Sequence, residues 1–268
     1  MSISRIYAVF IRQIFLIRSN PTRLASIFLW IIIDVVQWGF ISKYLSSLGQ
    51  ANFNYITVIL GAIILWEFMS RIQQGMMTAF LEDIWSQNFI NFFASPLKIS
   101  EYITGLVFSS IATSLLGFLA MIIIAGLAFG YNIFKLGIYL LPFILILFIF
   151  GMAMGIFVSG SIFRLGPSAE WLGWPIPLVL SIFSGVYYPV SALPFALQIF
   201  SKVIPASYVF DSMRSLIANG AFSPGLALNL TVGAGLALLY LVLMYFYFLN
   251  IYRHNIKNGR LARFSAEA

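Results

Sequence analysis

Cysteine is absent from this chain, and histidine occurs once. Without cysteine the chain forms no disulfide, has no thiolate nucleophile and offers no sulfur ligands to a metal. The single histidine, His254, lies in a basic C-terminal segment, so the sequence predicts neither a metal site nor a Ser-His-carboxylate triad. No glycine-rich phosphate loop precedes a lysine, so no nucleotide site is expected. We therefore expect no enzymatic chemistry on this chain.

Charge is also scarce. Asp, Glu, Lys and Arg together make up 9% of the 268 residues, whereas 61% of the residues are hydrophobic. Soluble domains average about 25% charged residues, so the composition predicts an integral membrane protein. The segments between its apolar runs are too short for a soluble catalytic or nucleotide-binding domain. Six runs come close to or exceed the roughly 20 residues that cross a bilayer, namely 24–41 (interrupted only by Asp34), 44–66, 102–134, 136–163, 171–201 and 215–252.

The basic residues lie mainly at the two ends of the chain: Arg5, Arg12, Arg18 and Arg23 before the first run, and Arg253, Lys257, Arg260 and Arg263 after the last. Lys and Arg near span ends stay on the cytoplasmic side. Both termini are therefore expected in the cytoplasm, with six spans in the inner or plasma membrane. The net charge of +7 follows from this distribution and predicts no nucleic-acid partner. We predict one domain, made of an amphipathic helix (1–20), a six-span bundle (22–251) and a basic cytoplasmic tail (252–268).

The first 20 residues have the pattern of an amphipathic helix. Ile6, Phe10 and Ile14 belong to a series of apolar residues at spacings of three and four, and Arg12 takes a position outside that series. Such a helix is expected to lie on the inner membrane surface. Proline at position 21 pushes the preceding residue out of helical geometry, so the first span should begin near Thr22.

A second amphipathic segment, residues 81–93, follows the second span. It is too polar to cross the membrane and too apolar for a solvated loop, so we predict a short cytoplasmic helix around residues 82–91. This helix would present Trp85, Phe89 and Phe92 to a neighbour, although Trp85 and Phe89 could instead anchor in lipid headgroups. Ser95 and Pro96 have the pattern of an N-cap followed by proline at the first helical position of the third span.

Two pairs of polar residues interrupt the first and second spans. Asp34 and Gln37 stand three apart and share a face, and Glu67 and Arg71 stand four apart in the favourable acid-first order. Polar residues at this depth face a partner or a water-filled path. A hydrogen-bonded pair that fixes helix register and an intrahelical ion pair are the structural alternatives.

Prolines break the fifth apolar run. Residues 183–214 contain Pro189, Pro194 and Pro205, followed by Asp211 and Arg214. Each proline removes a backbone donor, and hydrocarbon contains no water to satisfy the carbonyls that are freed. The sequence therefore predicts a re-entrant helical hairpin between spans 5 and 6, within an all-α integral membrane protein.

Three segments, in this order, resemble the membrane subunits of type-2 ATP-binding-cassette (ABC) exporters. They are Phe93–Tyr102 after the cytoplasmic helix, Phe183–Pro194 at the end of the fifth span, and Ile204–Arg214 with its proline-to-arginine signature. The resemblance covers essentially the whole chain. It implies a permease subunit that pairs with a second membrane subunit, commonly a copy of itself, and with two cytoplasmic ATPase subunits. ATP and Mg would then bind to those partners, with no cofactor on this chain.

The resemblance also implies roles for the polar and aromatic residues described above. ATPase docking would use the N-terminal helix (Ile6, Phe10, Arg12 and Ile14) and the coupling segment (Glu82, Asp83, Trp85, Phe89, Phe92, Ser95 and Pro96). The resemblance places an outer gate near Tyr187, Tyr188 and Pro189. Because of their polarity within the spans, Asp34, Gln37, Glu67 and Arg71 are the candidates for the translocation path, although Asp34 and Gln37 could instead cross the dimer axis. Belt aromatics at the membrane interface are the alternative interpretation of the two tyrosines.

The scarcity of intramembrane charge and the 17% aromatic content favour an amphipathic or lipid-like cargo, such as a drug, lipid or glycolipid. The resemblance to exporters implies that this cargo is moved outward. A polysaccharide or glycoconjugate exporter of the same superfamily is one alternative. An ion-coupled secondary transporter is another, and it would need Asp34 or Glu67 as its coupling carboxylate. A membrane enzyme would need clustered catalytic side chains at one interface, which the sequence lacks.

Overall fold

The structure is a computed structural model that describes residues 1–48, 56–219 and 224–258. Every regular element in these ranges is helical, as the sequence predicts. The α-helices α1 to α10 are Ile3–Ser19, Pro21–Leu48, Gly61–Trp85, Asn88–Ala94, Ile99–Phe129, Leu140–Leu165, Pro175–Ser184, Phe195–Ser201, Pro205–Asn219 and Pro224–Lys257. A π-helical turn (Ile56–Leu60) precedes α3, and 3-10 helices occupy Ile133–Tyr139, Pro167–Leu172 and Val190–Ala192.

Four helical segments of the described chain are long and apolar enough to cross a membrane: Phe28–Leu48, Ile99–Phe129, Ile133–Leu165 and Gly225–Lys257. The predicted second run, 44–66, begins in the last turn of α2 and ends in the first turns of α3, and its residues 49–55 lie outside the described residues. Helix α3 has 25 residues but carries charge and amide groups along its length. The predicted fifth span, 171–201, is broken into two short α-helices, the 10 residues of α7 and the 7 residues of α8. The count of six spans therefore stays a prediction for these two segments.

Helix α3 lies at the centre of the bundle. It packs against α5 on one side and α6 on the other, with α2 outside α5 and α10 outside α6. Phe68 meets Phe118 of α5 with ring centroids 5.0 Å apart, and Phe80 meets the edge of Phe163 of α6 at 5.9 Å. Most residues of α3 are buried, because a helix that is apolar around most of its circumference is stable only inside a protein or a bilayer.

Small residues on α6 let it approach α3 closely. A Cβ atom added at Gly151 would lie 2.8 Å from the Met69 carbonyl oxygen, and one added at Gly155 would lie 3.0 Å from Met76. Ser159, four residues further along α6, is fully buried. Small residues at this spacing bring helix backbones together in membranes, so this stripe serves helix packing.

The end of α3 differs from the predicted short helix around residues 82–91. Helix α3 continues to Trp85, and Gln87 then adopts a left-handed conformation with φ of 55° before α4 begins at Asn88. The Ser86 hydroxyl donates to the Glu82 carbonyl oxygen at 2.6 Å and accepts a hydrogen bond from the Asn88 amide at 2.8 Å. These bonds stabilise the turn, so the predicted single helix is two helices joined by it.

The predicted start of the third span at Ser95 and Pro96 is wrong. Ser95 lies at the end of α4, and α5 begins only at Ile99. The Glu101 carboxylate accepts a hydrogen bond from the Lys98 backbone amide at 3.0 Å, which satisfies one of the free donors at the helix start. An acidic residue three positions into the helix therefore determines its beginning, in place of the serine and proline upstream.

Between α7 and α10 the chain follows the broken path that its prolines predict. Helix α7 ends before Gly185, whose φ of 70° is left-handed, and the short helix α8 and the longer helix α9 follow. The placement of this hairpin within a membrane stays a prediction. At the other end of the bundle, α10 continues past the predicted boundary at 251, and the buried Asn255 donates to the Phe163 carbonyl oxygen at 2.6 Å. Residues 259–268 of the predicted tail lie outside the described residues.

We predict that Gly151→Ala destabilises the protein by about 1–3 kcal/mol, because the added methyl group forces α6 away from the α3 backbone. Gly235→Ala on α10 is the matched control, since nothing lies within 4 Å of a Cβ atom there. Unfolding free energies in mixed detergent micelles would measure both changes. Equal stabilities for the two variants would contradict the close α3–α6 contact.

Candidate functional site

A buried carboxylate joins three helices at the end of the bundle that contains α4. The Asp83 side chain, at the end of α3, has 0% of its surface exposed. It accepts hydrogen bonds from the Arg12 guanidinium of α1 and from the Tyr102 hydroxyl of α5, the latter at 2.6 Å. The Arg12 guanidinium also lies 4.8 Å from the centre of the Phe92 ring in α4. A buried charge is tolerated only when it is paired, so these contacts fix α1 against the bundle.

A second clamp ties the beginning of α1 to the beginning of α5. The buried Glu101 carboxylate accepts hydrogen bonds from the Ser2 backbone amide at 2.6 Å and from the Arg5 guanidinium at 3.4 Å. Arg5 also donates to the Pro96 carbonyl oxygen at 2.5 Å. Glu101 thus holds the beginning of α1, and Asp83 holds its middle through Arg12.

These contacts change the interpretation of the N-terminal helix. Arg12 points into the bundle, where burial lowers the pKa of its guanidinium and the nearby Glu82 carboxylate opposes that shift. The predicted apolar residues Ile6, Phe10 and Ile14 are half-buried. The innermost side chains of α1 are instead Val9 and Gln13, which fall outside the apolar pattern used to predict the helix.

The predicted docking residues divide into buried and exposed groups. Asp83 is inside the protein, so it can act on a partner only by positioning α1, and Phe92 is half-buried under Arg12. Trp85 is 53% exposed, and Ser95 and Pro96 are also exposed. The side chain of Phe89 lies outside the described residues, although its backbone belongs to α4.

A cavity of about 620 Å³ lies between α1, α2, α3 and α5. Its α3 wall carries a polar stripe at successive turns of the helix: Glu67, Arg71, Gln74, Thr78 and Glu82. Residues spaced by three and four share one face of a helix, so this stripe is continuous. The adjoining wall of α5 supplies hydroxyl groups from Ser109, Ser110, Thr113 and Ser114. The polar residues of α3 and α5 recur at helical spacing in the sequence. The apolar residues between successive polar positions make this pattern easy to miss.

Three of the four residues predicted for a translocation path lie together in this cavity. The Arg71 guanidinium is 3.8 Å from the Glu67 carboxylate and also interacts electrostatically with Asp34 of α2. The stem of Arg71 passes close to Gly117 of α5, where a Cβ atom would lie 3.3 Å from the Arg71 Cδ atom. Gln37 does not join them, because its side chain is exposed on the outer side of α2.

The predicted outer-gate residues lie at the opposite end of the bundle from Asp83. Tyr187 stacks on Trp38 of α2 with ring centroids 4.7 Å apart. Tyr188 donates to the Ile182 carbonyl oxygen at 3.0 Å, and Pro189 is exposed. Trp38 was not predicted to take part, and nothing in the sequence around it indicates its partner.

Arg214 holds the chain reversal after α7 in place. Its guanidinium donates to the carbonyl oxygens of Gly185 and Val186, the latter at 3.0 Å. The other residues of the predicted signature are spread out: Pro205 is buried at the start of α9, while Pro194 and Asp211 are exposed. Within this signature, the arginine makes the contact that shapes the backbone.

Comparison with known families gives one match. A family model described as ABC-2 type transporter matches residues 4–218. The matched range runs from α1 into α9, so it includes Asp83 and Glu101 with their arginine partners, the whole lining of the cavity and Arg214. A comparison with curated proteins finds no match.

We predict that Asp83→Ala destabilises the protein by about 3–5 kcal/mol, because it leaves a partly buried guanidinium without its counter-charge. Tyr102→Phe should cost about 2 kcal/mol, the loss of one hydrogen bond to a charged group. Unfolding in mixed micelles would measure both variants. Arg164→Ala, at an exposed position, is the control and should leave the transition unchanged.

The double variant Arg12→Ala with Asp83→Ala separates pairing from general packing. If the two charges stabilise each other, the double variant should lose less stability than the sum of the two single variants. Additive losses of stability would show that Arg12 and Asp83 do not stabilise each other.

Proposed function

Because this chain belongs to the ABC-2 type transporter family, we propose that it is the permease subunit of an exporter that moves an amphipathic or lipid-like molecule outward across the cell membrane. The family match over residues 4–218 carries this proposal. Two partner ATPase subunits supply the energy in this proposal, as membership of a family of ABC permeases implies.

The proposed ATPase contact is the end of the bundle that contains the two carboxylate clamps. The Asp83 and Glu101 contacts join α1, α4 and the start of α5 to the end of α3. A partner that binds any one of these elements therefore moves them together, which is how rigid-body motion is transmitted. Trp85 supplies an exposed aromatic side chain for insertion into a groove on the ATPase.

This end is assigned to the cytoplasm. The C-terminal part of α10 lies at the same end as α1, since Phe80 contacts both Tyr102 at the start of α5 and Phe248 of α10. Arg5 and Arg12 of α1 therefore lie at the same end of the bundle as Arg253 and Lys257 of α10, and Lys and Arg favour the cytoplasmic side. Helix α1 and the C-terminal part of α10 face the ATPase in this arrangement.

A second copy of the chain is the proposed membrane partner, and α2 is the proposed contact. Gln37 is exposed on the outer side of this helix, between the exposed apolar residues Ile33 and Phe40. Hydrocarbon offers no hydrogen-bond partner to an amide. A twofold dimer places the same amide from each copy within one interface, where polar side chains hydrogen-bond across helices.

Co-expression with ATPase subunits from the same genome tests the function. We expect a tag on this chain to retain an ATPase in a stable complex that hydrolyses ATP in lipid nanodiscs. Trp85→Ala should reduce the retained ATPase by about tenfold or more, as expected for an aromatic residue central to an interface. Phe195→Ala is the control, because Phe195 is 90% exposed in α8 at the opposite end of the bundle.

The control variant should retain the ATPase as the unchanged protein does. A chain that inserts and purifies alone, whatever the ATPase offered, would shift the assignment to an ion-coupled carrier. If Trp85→Ala retained as much ATPase as the unchanged protein, that result would contradict the docking role of Trp85.

The absence of cysteine makes the dimer contact directly testable. We predict that Gln37→Cys forms a disulfide-linked dimer in native membranes under mild oxidation. Ile123→Cys on α5 is the control, because Ile123 is exposed and lies at a depth similar to that of Gln37. Ile123 lies between Gly117, which is close to Ile31 of α2, and Phe129, which is close to Gly39 of α2. Crosslinking of the two variants to the same extent would argue against an α2 interface.

A further inference from the structure

We propose that the cavity between α1, α2, α3 and α5 binds the polar group of a singly charged cationic amphiphile. This inference rests on the proposed function and adds to it the charge of the cargo. Three observations carry it: two unsatisfied buried polar groups in the lining, an excess of carboxylates over guanidinium in the cavity, and tryptophans beside the polar lining.

The cavity is built to contact a ligand with polar groups. Gln13 and Ser114 both line it and are only 2% and 1% exposed. Among the described residues, neither the Gln13 Nε2 atom nor the Ser114 hydroxyl has a hydrogen-bond partner. A buried polar atom without a partner costs about 1–3 kcal/mol, so such atoms call for a bound molecule or water. Gln13 belongs to α1 and Ser114 to α5.

The deep part of the cavity has more negative than positive groups. Asp34 and Glu67 both interact with the single guanidinium of Arg71, so two acidic side chains share one basic partner. At the other end of the α3 stripe, Glu82 is close enough to Arg12 to interact with it electrostatically. A second acidic side chain beside one guanidinium is costly to ionise at membrane depth, and a ligand cation would stabilise its charged form. An anionic head group would instead face Asp34 and Glu67.

The shape of the cavity suits the head of an amphiphile. Its volume of about 620 Å³ lies within the range of about 300–1,000 Å³ that is common for small-molecule sites. Glu67 and Glu82 mark the ends of a polar stripe about 22 Å long at 1.5 Å per residue, which is most of the thickness of a bilayer core. A polar group can move along this stripe while its apolar tail remains in lipid.

Tryptophans accompany the polar lining. Trp30 and Trp174 both line the cavity and are 62% and 54% exposed. Trp30 stands one helical turn before Asp34 on α2, so its ring and the carboxylate share a face. Aromatic faces attract cations, most strongly when water is excluded. The site therefore combines a counter-charge, an aromatic surface and hydrogen-bonding groups for one cation.

Two hydrophobic ions of nearly the same size and shape test the sign of the charge. Radiolabelled tetraphenylphosphonium and tetraphenylborate would be equilibrated with the full chain in nanodiscs, and binding to empty nanodiscs would be subtracted. We expect saturable binding of the phosphonium and no saturable binding of the borate. Saturable binding of both ions with equal affinity, or of neither, would overturn the inference.

Variants then locate the site. Asp34→Asn should weaken phosphonium binding about tenfold, the effect of losing one charged contact. Asp211→Asn is the control, because this exposed carboxylate lies on α9, away from the cavity, and its removal should change nothing. Arg71→Gln should instead strengthen binding by about threefold or more, because it removes the positive charge that competes with the ligand.

Asp34→Asn and Arg71→Gln are expected to change phosphonium affinity in opposite directions, so either variant tests the inference if the other does not fold. Monodisperse elution identifies folded variants, and Glu67→Gln replaces Asp34→Asn if needed. Equal phosphonium affinities in the unchanged protein and all folded cavity variants would overturn the inference. A complex that hydrolyses ATP without preferring the phosphonium overturns the inference and leaves the proposed function intact. Preferential phosphonium binding by a chain that recruits no ATPase supports the site and counts against the exporter.

Discussion

The buried carboxylate of Asp83 is the constraint on which the arrangement of this protein depends. A charge with no exposed surface must be matched inside the protein, and its partners come from α1 and α5. Because Arg12 supplies the matching charge, the N-terminal helix cannot slide or rotate on the bundle without exposing an unpaired ion. An amphipathic helix held only by lipid would be free to do so. The pair therefore makes α1 part of the bundle, where composition alone would describe a surface helix.

Helix α3 serves two purposes on its two sides. Toward α6 it is apolar and packs closely against Gly151 and Gly155, so that side contributes stability through contact. Toward α2 and α5 it carries the polar stripe of the cavity. A helix with both surfaces needs neighbours on all sides, which explains why α3 lies at the centre and why its hydropathy is weaker than that of the spans around it. Because of its polar stripe, α3 does not have the apolar composition of a simple membrane span.

Much of the fold could be predicted because hydrocarbon imposes strict rules on backbone and charge. Apolar runs, the break at Asn20 and the prolines after α7 all indicate elements that the structure contains. The pairing of Arg12 with Asp83 could not be predicted, because the two residues are distant in sequence and adjacent only after α1 packs on α5. Asp34 and Gln37 mark a further limit. Residues three apart are about 60° apart around a helix, enough for one to face the cavity and the other the outside.

The two proposed functions of the chain meet on one helix. Asp83 lies at the end of α3 where the proposed ATPase contact is, and Glu67 and Arg71 lie on the same helix in the cavity. The intervening turns are α-helical throughout and tightly packed against α6, so displacement of the end of α3 moves the cavity wall as well. Helix α5 is linked to the same clamps through Tyr102 and Glu101 and supplies the adjoining wall. Motion of the clamped end can therefore change the shape of the cavity, which is the physical requirement for coupling ATP hydrolysis to the release of a bound head group.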